Sequence, residues 1–288
     1  MSFKYGNSLF CHNVRINGMK AIFFAFGLSS WRYIEYGFVL DSLQDIISPL
    51  MNRHNKFVLD VGSGYSILPS FLKMIGFQVC AVEISKMALK FQHDRGVQVV
   101  RASGEKLPFR PKVCDVVMSI SVIEHIPGDG DIAAVVEMSK QLKDGGLMII
   151  SLPFGEKSKV ETDFLWGIPS IFRRVLKIIG STRFIFEVFR LFRIERGEVV
   201  LNRVYDSQEI NNRIIKSSEG MVKSRLYISG SKWSQIAYKI MPMTLLSCVE
   251  YQLAKSLKVE QKFQAGLSVQ DRAIILKFVS ARNLNGRV

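Results

Sequence analysis

Nowhere in the 288 residues is there an apolar run of the roughly eighteen residues that a membrane-spanning helix requires, so no conventional span is expected. Cysteine is scarce: Cys11, Cys80, Cys114 and Cys248 stand far apart and form no C-x-x-C pair, which excludes a disulfide framework and fits a reduced protein. The short apolar stretch from Ala21 to Leu28 has Arg15 and Lys20 before it but no small-x-small cleavage site, so a cytoplasmic location is expected rather than export. Internal repeats and low-complexity segments are also missing. Acidic residues are few: 25 stand against 39 Lys and Arg, giving a formal charge of +14. That excess favours contact with something anionic, whether a phospholipid surface, a phosphorylated substrate or nucleic acid. What is present is a 48% hydrophobic composition, ample for the core of one large α/β domain or of one domain with insertions.

Between residues 56 and 154, short β-rich runs alternate with helical patterns, the signature of βαβ units and a mainly parallel sheet. The strands read from the sequence are 57–61, 77–82, 97–101, 113–120 and 147–152, with later ones near 222–229 and 272–280. The expected fold is therefore a Rossmann-like, doubly wound, seven-stranded and mostly parallel α/β sheet with an antiparallel last strand and helical insertions. Residues 1–56 read as an N-terminal helical lid or brace, since Ile34, Phe38, Val39, Leu43, Ile46 and Ile47 recur at helical spacing. Residues 57–288 form the main domain, with helical insertions at about 160–200 and 231–265. A glycine of Lys143-Asp-Gly145-Gly146 is expected to close a helix, and Asp206 or Ser207 to cap another.

The chemistry concentrates at Phe57-Val-Leu-Asp-Val-Gly-Ser-Gly64, a strand running into an acid and a two-glycine turn, which reads as a nucleotide-binding loop. A dinucleotide fingerprint needs a third glycine, and Ile67 stands there instead. Glu83 lies about twenty residues on, where a carboxylate at a strand end can accept from both ribose hydroxyls. Ala102-Ser-Gly-Glu-Lys-Leu-Pro-Phe109 and Cys114-Asp-Val-Val-Met-Ser-Ile-Ser-Val-Ile-Glu-His-Ile126 follow in order, then Leu142-Lys-Asp-Gly-Gly-Leu-Met-Ile-Ile-Ser-Leu-Pro153.

In that order these segments resemble the class I S-adenosylmethionine-dependent methyltransferases, of the small-molecule type found in quinone and surface-glycan pathways. The resemblance implies S-adenosylmethionine as cofactor, with contacts from Asp60, Gly62, Ser63 and Gly64, from Glu83 and Ile84, from Ser103, Gly104 and Glu105, and from Ser119 and Ile120. Trp31-Arg-Tyr-Ile-Glu-Tyr36 resembles an R-x-x-E-Y element that precedes the loop in some of these enzymes, adding Arg32 or Tyr36; packing on an amphipathic helix is the competing reading for Tyr33 and Tyr36. Two positions depart from the family pattern. Ser66 stands for the last loop glycine and Ser103 for an aspartate that would accept from the adenine amino group. Leu107 and Phe109 either touch the adenine or pack in the core, and Asp115 reads as a structural cap at the far edge of the sheet.

A sulfonium-bound methyl is already activated, so the protein has mainly to align an acceptor and exclude water. For an oxygen acceptor a base helps, and His125 is the candidate, against a plain packing role. Glu124 and His125 resemble part of an E-x-x-E-H metal element, but its first acid is Ser121 here, so no metal is expected. His12, His54 and His93 have no partner at ligand spacing and read as surface residues. The basic, aromatic stretch from Phe164 to Arg196 and the apolar one from Trp233 to Leu257 suit a cover for a small-molecule or lipid-linked acceptor. They also suit an anionic membrane surface, which makes the chain a candidate peripheral protein of the inner membrane face. Three rivals stay open: an NAD-dependent oxidoreductase, a nucleic-acid methyltransferase, ranked lower without an RNA-binding module, and a non-catalytic membrane-associated relative.

Overall fold

Strand β1 (Phe57–Val61) is buried along almost its whole length because it lies at the centre of a sheet covered on both faces. The computed structural model describes residues 5–18, 30–44, 55–163, 200–218, 222–229, 258–261 and 271–280. Helices α1 (Gly6–Asn17) and α2 (Ser30–Gln44) precede β1. After it come α3 (Leu68–Met74), β2 (Gln78–Glu83), α4 (Lys86–His93), β3 (Gln98–Arg101), β4 (Cys114–Ile120), a 3-10 turn (Ile123–His125), α5 (Gly130–Gln141) and β5 (Leu142–Pro153). Beyond these lie β6 (Lys159–Asp163), β7 (Val200–Val204), a π-helical turn (Ile210–Ile215), β8 (Val222–Ser229), β9 (Lys258–Gln261) and β10 (Asp271–Val279).

The sheet order is β3-β2-β1-β4-β5-β10-β8-β9. Strands β1 to β5 are mutually parallel; β10 runs antiparallel to both β5 and β8, and β9 runs antiparallel to β8. Six strands thus point one way and two the other, with the last strand antiparallel as expected. All seven strands read from the sequence are present, but the sheet has eight: the four-residue edge strand β9 lies inside the second expected helical insertion. A separate antiparallel pair, β6 and β7, flanks the first insertion. Residues 164–199, 230–257 and 262–270, with most of both insertions, lie outside the described residues, as do Ala21–Leu28, His54 and Cys248.

The strand order reverses between β1 and β4, which opens a crevice at their carboxyl ends, the place where open α/β sheets bind ligands. Period-two alternation feeds two cores. Val58, Val116, Met118, Ile149 and Ile275 pack against Phe38, Val39 and Leu43 of α2 and Leu68, Phe71 and Leu72. Leu59, Val117, Met148, Leu276 and Phe278 pack on the other face against α5 and the fully buried Tyr205. No helix among the described residues is long and apolar enough to cross a membrane.

Two sequence expectations need correction. The Lys143–Gly146 turn does not close a helix: α5 ends at Gln141 with Leu142 already extended. Gly145, at φ +76°, instead lies within β5, where pairing slips between Cys114–Leu142 and Val116–Leu147. His12 is not a surface residue either. It is buried under α3, its Nε2 lies 2.9 Å from Ser70 Oγ, and its ring meets Phe71 edge-on. Burial, with Arg15 and Arg95 nearby, lowers its pKa to about 4. Two readings hold as expected. Asp206 caps the Ser207 turn by accepting from the Gln208 and Glu209 amides, and Asp115, at the start of β4, accepts from Lys56 Nζ at 2.8 Å and the Phe57 amide at 3.1 Å.

Candidate functional site

The glycine turn sits at the carboxyl end of β1, and its backbone requires glycine at two positions. Gly62 has φ +80°, and a Cβ there would collide with the Val122 methyls; Gly64 has φ +47°. The turn's amides do not point out toward an anion. Gly62 and Ser63 both donate to the Val82 carbonyl, at 2.8 and 3.2 Å, and Gly64 donates to Glu83 Oε2 at 2.9 Å. The donors that would cradle a pyrophosphate are thus spent on β2 of this same chain. Ile67, in the third-glycine position, is fully buried, and Pro69 follows in the first turn of α3.

Glu83 closes β2 and faces the turn. Its second oxygen accepts from the Ile84 and Ser85 amides at 2.7 and 3.0 Å, so the carboxylate is fixed by three backbone donors and retains one acceptor site, on Oε2, for a ribose hydroxyl. Ile84 beside it is 59% exposed, and Tyr65 and Met87 are exposed at the same rim. Asp60, one strand away, is buried. Desolvation pushes its carboxyl up to about 7, with Glu83 adding to the rise and Arg32 opposing it.

Ser103 and Glu105 form a local pair: the Ser103 hydroxyl donates to Glu105 Oε2 at 3.0 Å and accepts from the Glu105 amide at 3.2 Å. One lone pair of Ser103 is left for an outside donor. Gly104 packs on Val61, where a Cβ would stand 3.1 Å from a side-chain methyl. Leu107 is buried in the core on the α5 side, and Phe109 packs against that core while partly exposed. Ser119 is wholly buried and Ile120 nearly so, which leaves backbone as their means of contact.

Helix α2 delivers its R-x-x-E-Y element onto this rim. Arg32 Nη1 donates to the Ile120 carbonyl at 3.0 Å and to Glu35 Oε2 at 2.9 Å; burial works against its charge, but Glu35 and Glu124 outweigh it and hold the guanidinium charged. Tyr36 is buried, and its hydroxyl lies 2.8 Å from Ser66 Oγ. Ser66 in turn accepts from the Leu68 amide at 3.1 Å where the chain enters α3, so the serine in the glycine position performs a structural task. Past β4, Glu124 is buried, and desolvation raises its carboxyl to about 8. His125 is half-buried with Nε2 3.9 Å from Glu124 Oε1. Among the described residues no group of three or more His, Cys, Asp or Glu is arranged to hold a metal.

The structure thus gathers Arg32, Tyr36, Asp60, the glycine turn, Glu83, Ser103 and the end of β4 around one crevice. These residues fit S-adenosylmethionine: an anchored carboxylate with a site left for a ribose hydroxyl, an acceptor lone pair at Ser103 for an amino group, and a buried acid at Asp60 that a nearby sulfonium cation would stabilise in its ionised form. Sequence reasoning missed Glu35, Ser151 and Gln92. Gln92 Nε2 reaches the Gly64 and Ser66 carbonyls at 3.0 and 2.8 Å from α4, and nothing local marks a glutamine for that task. Glu35 did carry a signal, as the acid of the R-x-x-E-Y element.

Residues 59–150 match the family described as "Methyltransferase domain". An uncharacterized methyltransferase of Mycobacterium leprae is 31% identical over 134 residues, which is 42% of this chain and 48% of that protein. One from Mycobacterium sp. (strain JLS) is 32% identical over 117 residues, covering 38% and 46%. The chain thus aligns with about half the length of the curated relatives it matches. Among solved structures, a methyltransferase from Thermotoga maritima described as a possible histamine N-methyltransferase overlaps 86% of this chain and 91% of its own, at 14% identity and a TM-score of 0.46. A SAM-dependent methyltransferase from Methanosarcina mazei overlaps 84% and 98%, at 10% identity and a TM-score of 0.48.

Proposed function

We propose, on the premise that residues 59–150 are a class I S-adenosylmethionine-dependent methyltransferase domain, that the whole chain transfers the cofactor's methyl group to a small-molecule or lipid-linked acceptor, at oxygen. The observation that carries this reading is the pairing of the glycine turn with Glu83. The amides that a dinucleotide enzyme would offer to pyrophosphate are occupied by Val82 and Glu83, while the Glu83 carboxylate keeps one acceptor site for a ribose hydroxyl. When bound, the cofactor supplies an electrophilic methyl on a cationic sulfur. The protein orients the ribose through Glu83 and favours positive charge near Asp60. His125, at the rim beyond β4, receives the proton of an acceptor hydroxyl. By composition alone, the basic, aromatic stretch 164–196 and the apolar stretch 233–257 suit a small-molecule or lipid-linked acceptor and an anionic membrane surface.

Calorimetric titration of the full chain with S-adenosylhomocysteine and with NAD tests the cofactor, with binding of the first alone expected. Incubation with radiolabelled methyl donor, followed by partition between organic and aqueous phases, then tests the acceptor class. Label recovered in the organic phase is expected for a lipid-linked acceptor. Binding of NAD in place of S-adenosylhomocysteine would overturn this reading in favour of an oxidoreductase.

A further inference from the structure

Ser121 is one of two described residues other than glycine with a positive φ, at +52°. A side chain resists that conformation, so neighbouring contacts have to hold it. Its amide donates to the Ser151 carbonyl at 3.1 Å, and its hydroxyl donates to Glu35 Oε1 at 2.9 Å. The same Glu35 oxygen accepts from Ser151 Oγ at 2.8 Å, and the other accepts from Arg32. Glu35 is 4% exposed, so a single buried carboxylate from α2 joins the ends of β4 and β5 through charge-assisted hydrogen bonds.

Resting on the reading that the crevice binds S-adenosylmethionine, we propose that Glu35 is a positioning residue for the cofactor site, holding Ser121 in its left-handed turn and thereby setting Val122 against Gly62. The link is short and contiguous. Val122 follows Ser121, and its methyls fill the space above Gly62 so closely that no Cβ fits there. The same carboxylate holds Arg32, whose guanidinium fastens the Ile120 carbonyl at the end of β4. Displacing Glu35 therefore shifts both the β4 end and the turn that faces the ribose.

The test is calorimetric titration of the full chain with S-adenosylhomocysteine, alongside thermal melts, for wild type, Glu35→Gln, Ser121→Ala, Ser121→Gly and the double variant Glu35→Gln/Ser121→Gly. Glycine adopts positive φ without a holding contact, whereas alanine loses the hydroxyl and keeps the strain. Glu35→Gln is expected to weaken binding by about tenfold or more, as for loss of hydrogen bonds to a charged group. Ser121→Ala weakens it in the same direction, Ser121→Gly stays near wild type, and the double variant recovers most of the Glu35→Gln loss. Affinity unchanged in Glu35→Gln, or Ser121→Gly no better than Ser121→Ala, overturns the proposal. If Glu35→Gln does not fold, the two Ser121 variants decide alone. Failure of the wild type to bind S-adenosylhomocysteine instead overturns the function proposed above, which keeps the two outcomes distinct.

Discussion

Glu83 illustrates how one side chain can serve the fold and a ligand together. Its carboxylate accepts from Gly64, Ile84 and Ser85, so replacing it leaves three amides without their partner as well as removing the ribose acceptor. Glu83→Ala is expected to weaken S-adenosylhomocysteine binding by about 1.5 to 3 kcal/mol, the range for hydrogen bonds to charged groups, read by calorimetry with circular dichroism as the control for folding. His125 belongs to chemistry rather than affinity. His125→Ala is expected to lower methyl transfer by about 10² to 10⁴ while leaving the dissociation constant for S-adenosylhomocysteine unchanged, and parallel loss of both would mark His125 as a packing residue. At this scale the sequence was legible where a residue's role is local. Asp60, Gly62, Gly64 and Glu83 lie where strand ends and turn chemistry put them. Gln92, and the serine contacts of Glu35, were not legible, because those partners arrive from 26 to 116 residues away.

At the scale of elements, the strands buried on both sides announced themselves by continuous apolar runs, while β6, with Lys159, Glu161 and Asp163, and the four-residue β9 carry too little alternation to be recognised. The helix α1, in GNSLFCHNVRIN, lies within the segment 1–56 read as helical, but polar residues break its apolar face and so its bounds were not marked. The π-helical turn after β7 shows an element fixed by one buried ion pair. Arg213 reaches Asp131 at the start of α5 through Nε at 2.9 Å and Nη2 at 2.6 Å and also holds the Gly128 carbonyl, while the Tyr205 hydroxyl donates to the same Asp131. Burial works against the Asp131 charge, yet Arg213 and Tyr205 hold its carboxyl below the usual range. The loop that follows His125 is thus clasped to the turn. Arg213→Ala strands a buried carboxylate and is expected to cost about 3 kcal/mol of stability in denaturant unfolding, with acceptor KM rising more than cofactor affinity falls. A loss below about 1 kcal/mol would mean that the clasp is no more than a surface pair.

Across the whole molecule, charge and burial pull on the chain in ways that pH and salt separate. With +14 formal charges, sedimentation with vesicles rich in anionic lipid is expected at low salt and is expected to fall steeply toward about 0.5 M salt, as screening shortens the reach of the field. Equal binding to neutral vesicles would point instead to apolar insertion. Stability against pH reads the buried acids. Asp60 rises from 3.8 to about 7 and Glu124 from 4.5 to about 8 on folding, both chiefly through desolvation. A carboxyl that is easier to protonate in the folded state contributes its full stability below the unfolded pKa and loses it as pH climbs through the folded value. Between about pH 4.5 and 7 each group therefore costs about 1.4 kcal/mol of stability per pH unit, and above pH 8 the loss levels off. The denaturation midpoint of the unliganded chain should fall from pH 6 to pH 8 with no other change in conditions. A cationic ligand beside Asp60 favours its ionised form, so binding of S-adenosylmethionine near pH 7 should release protons, and its affinity should rise with pH over the same window in which the free chain weakens. Calorimetry in two buffers of different ionisation enthalpy measures that proton release directly, and a release of zero near pH 7 would remove Asp60 from the set of groups that respond to the ligand's charge.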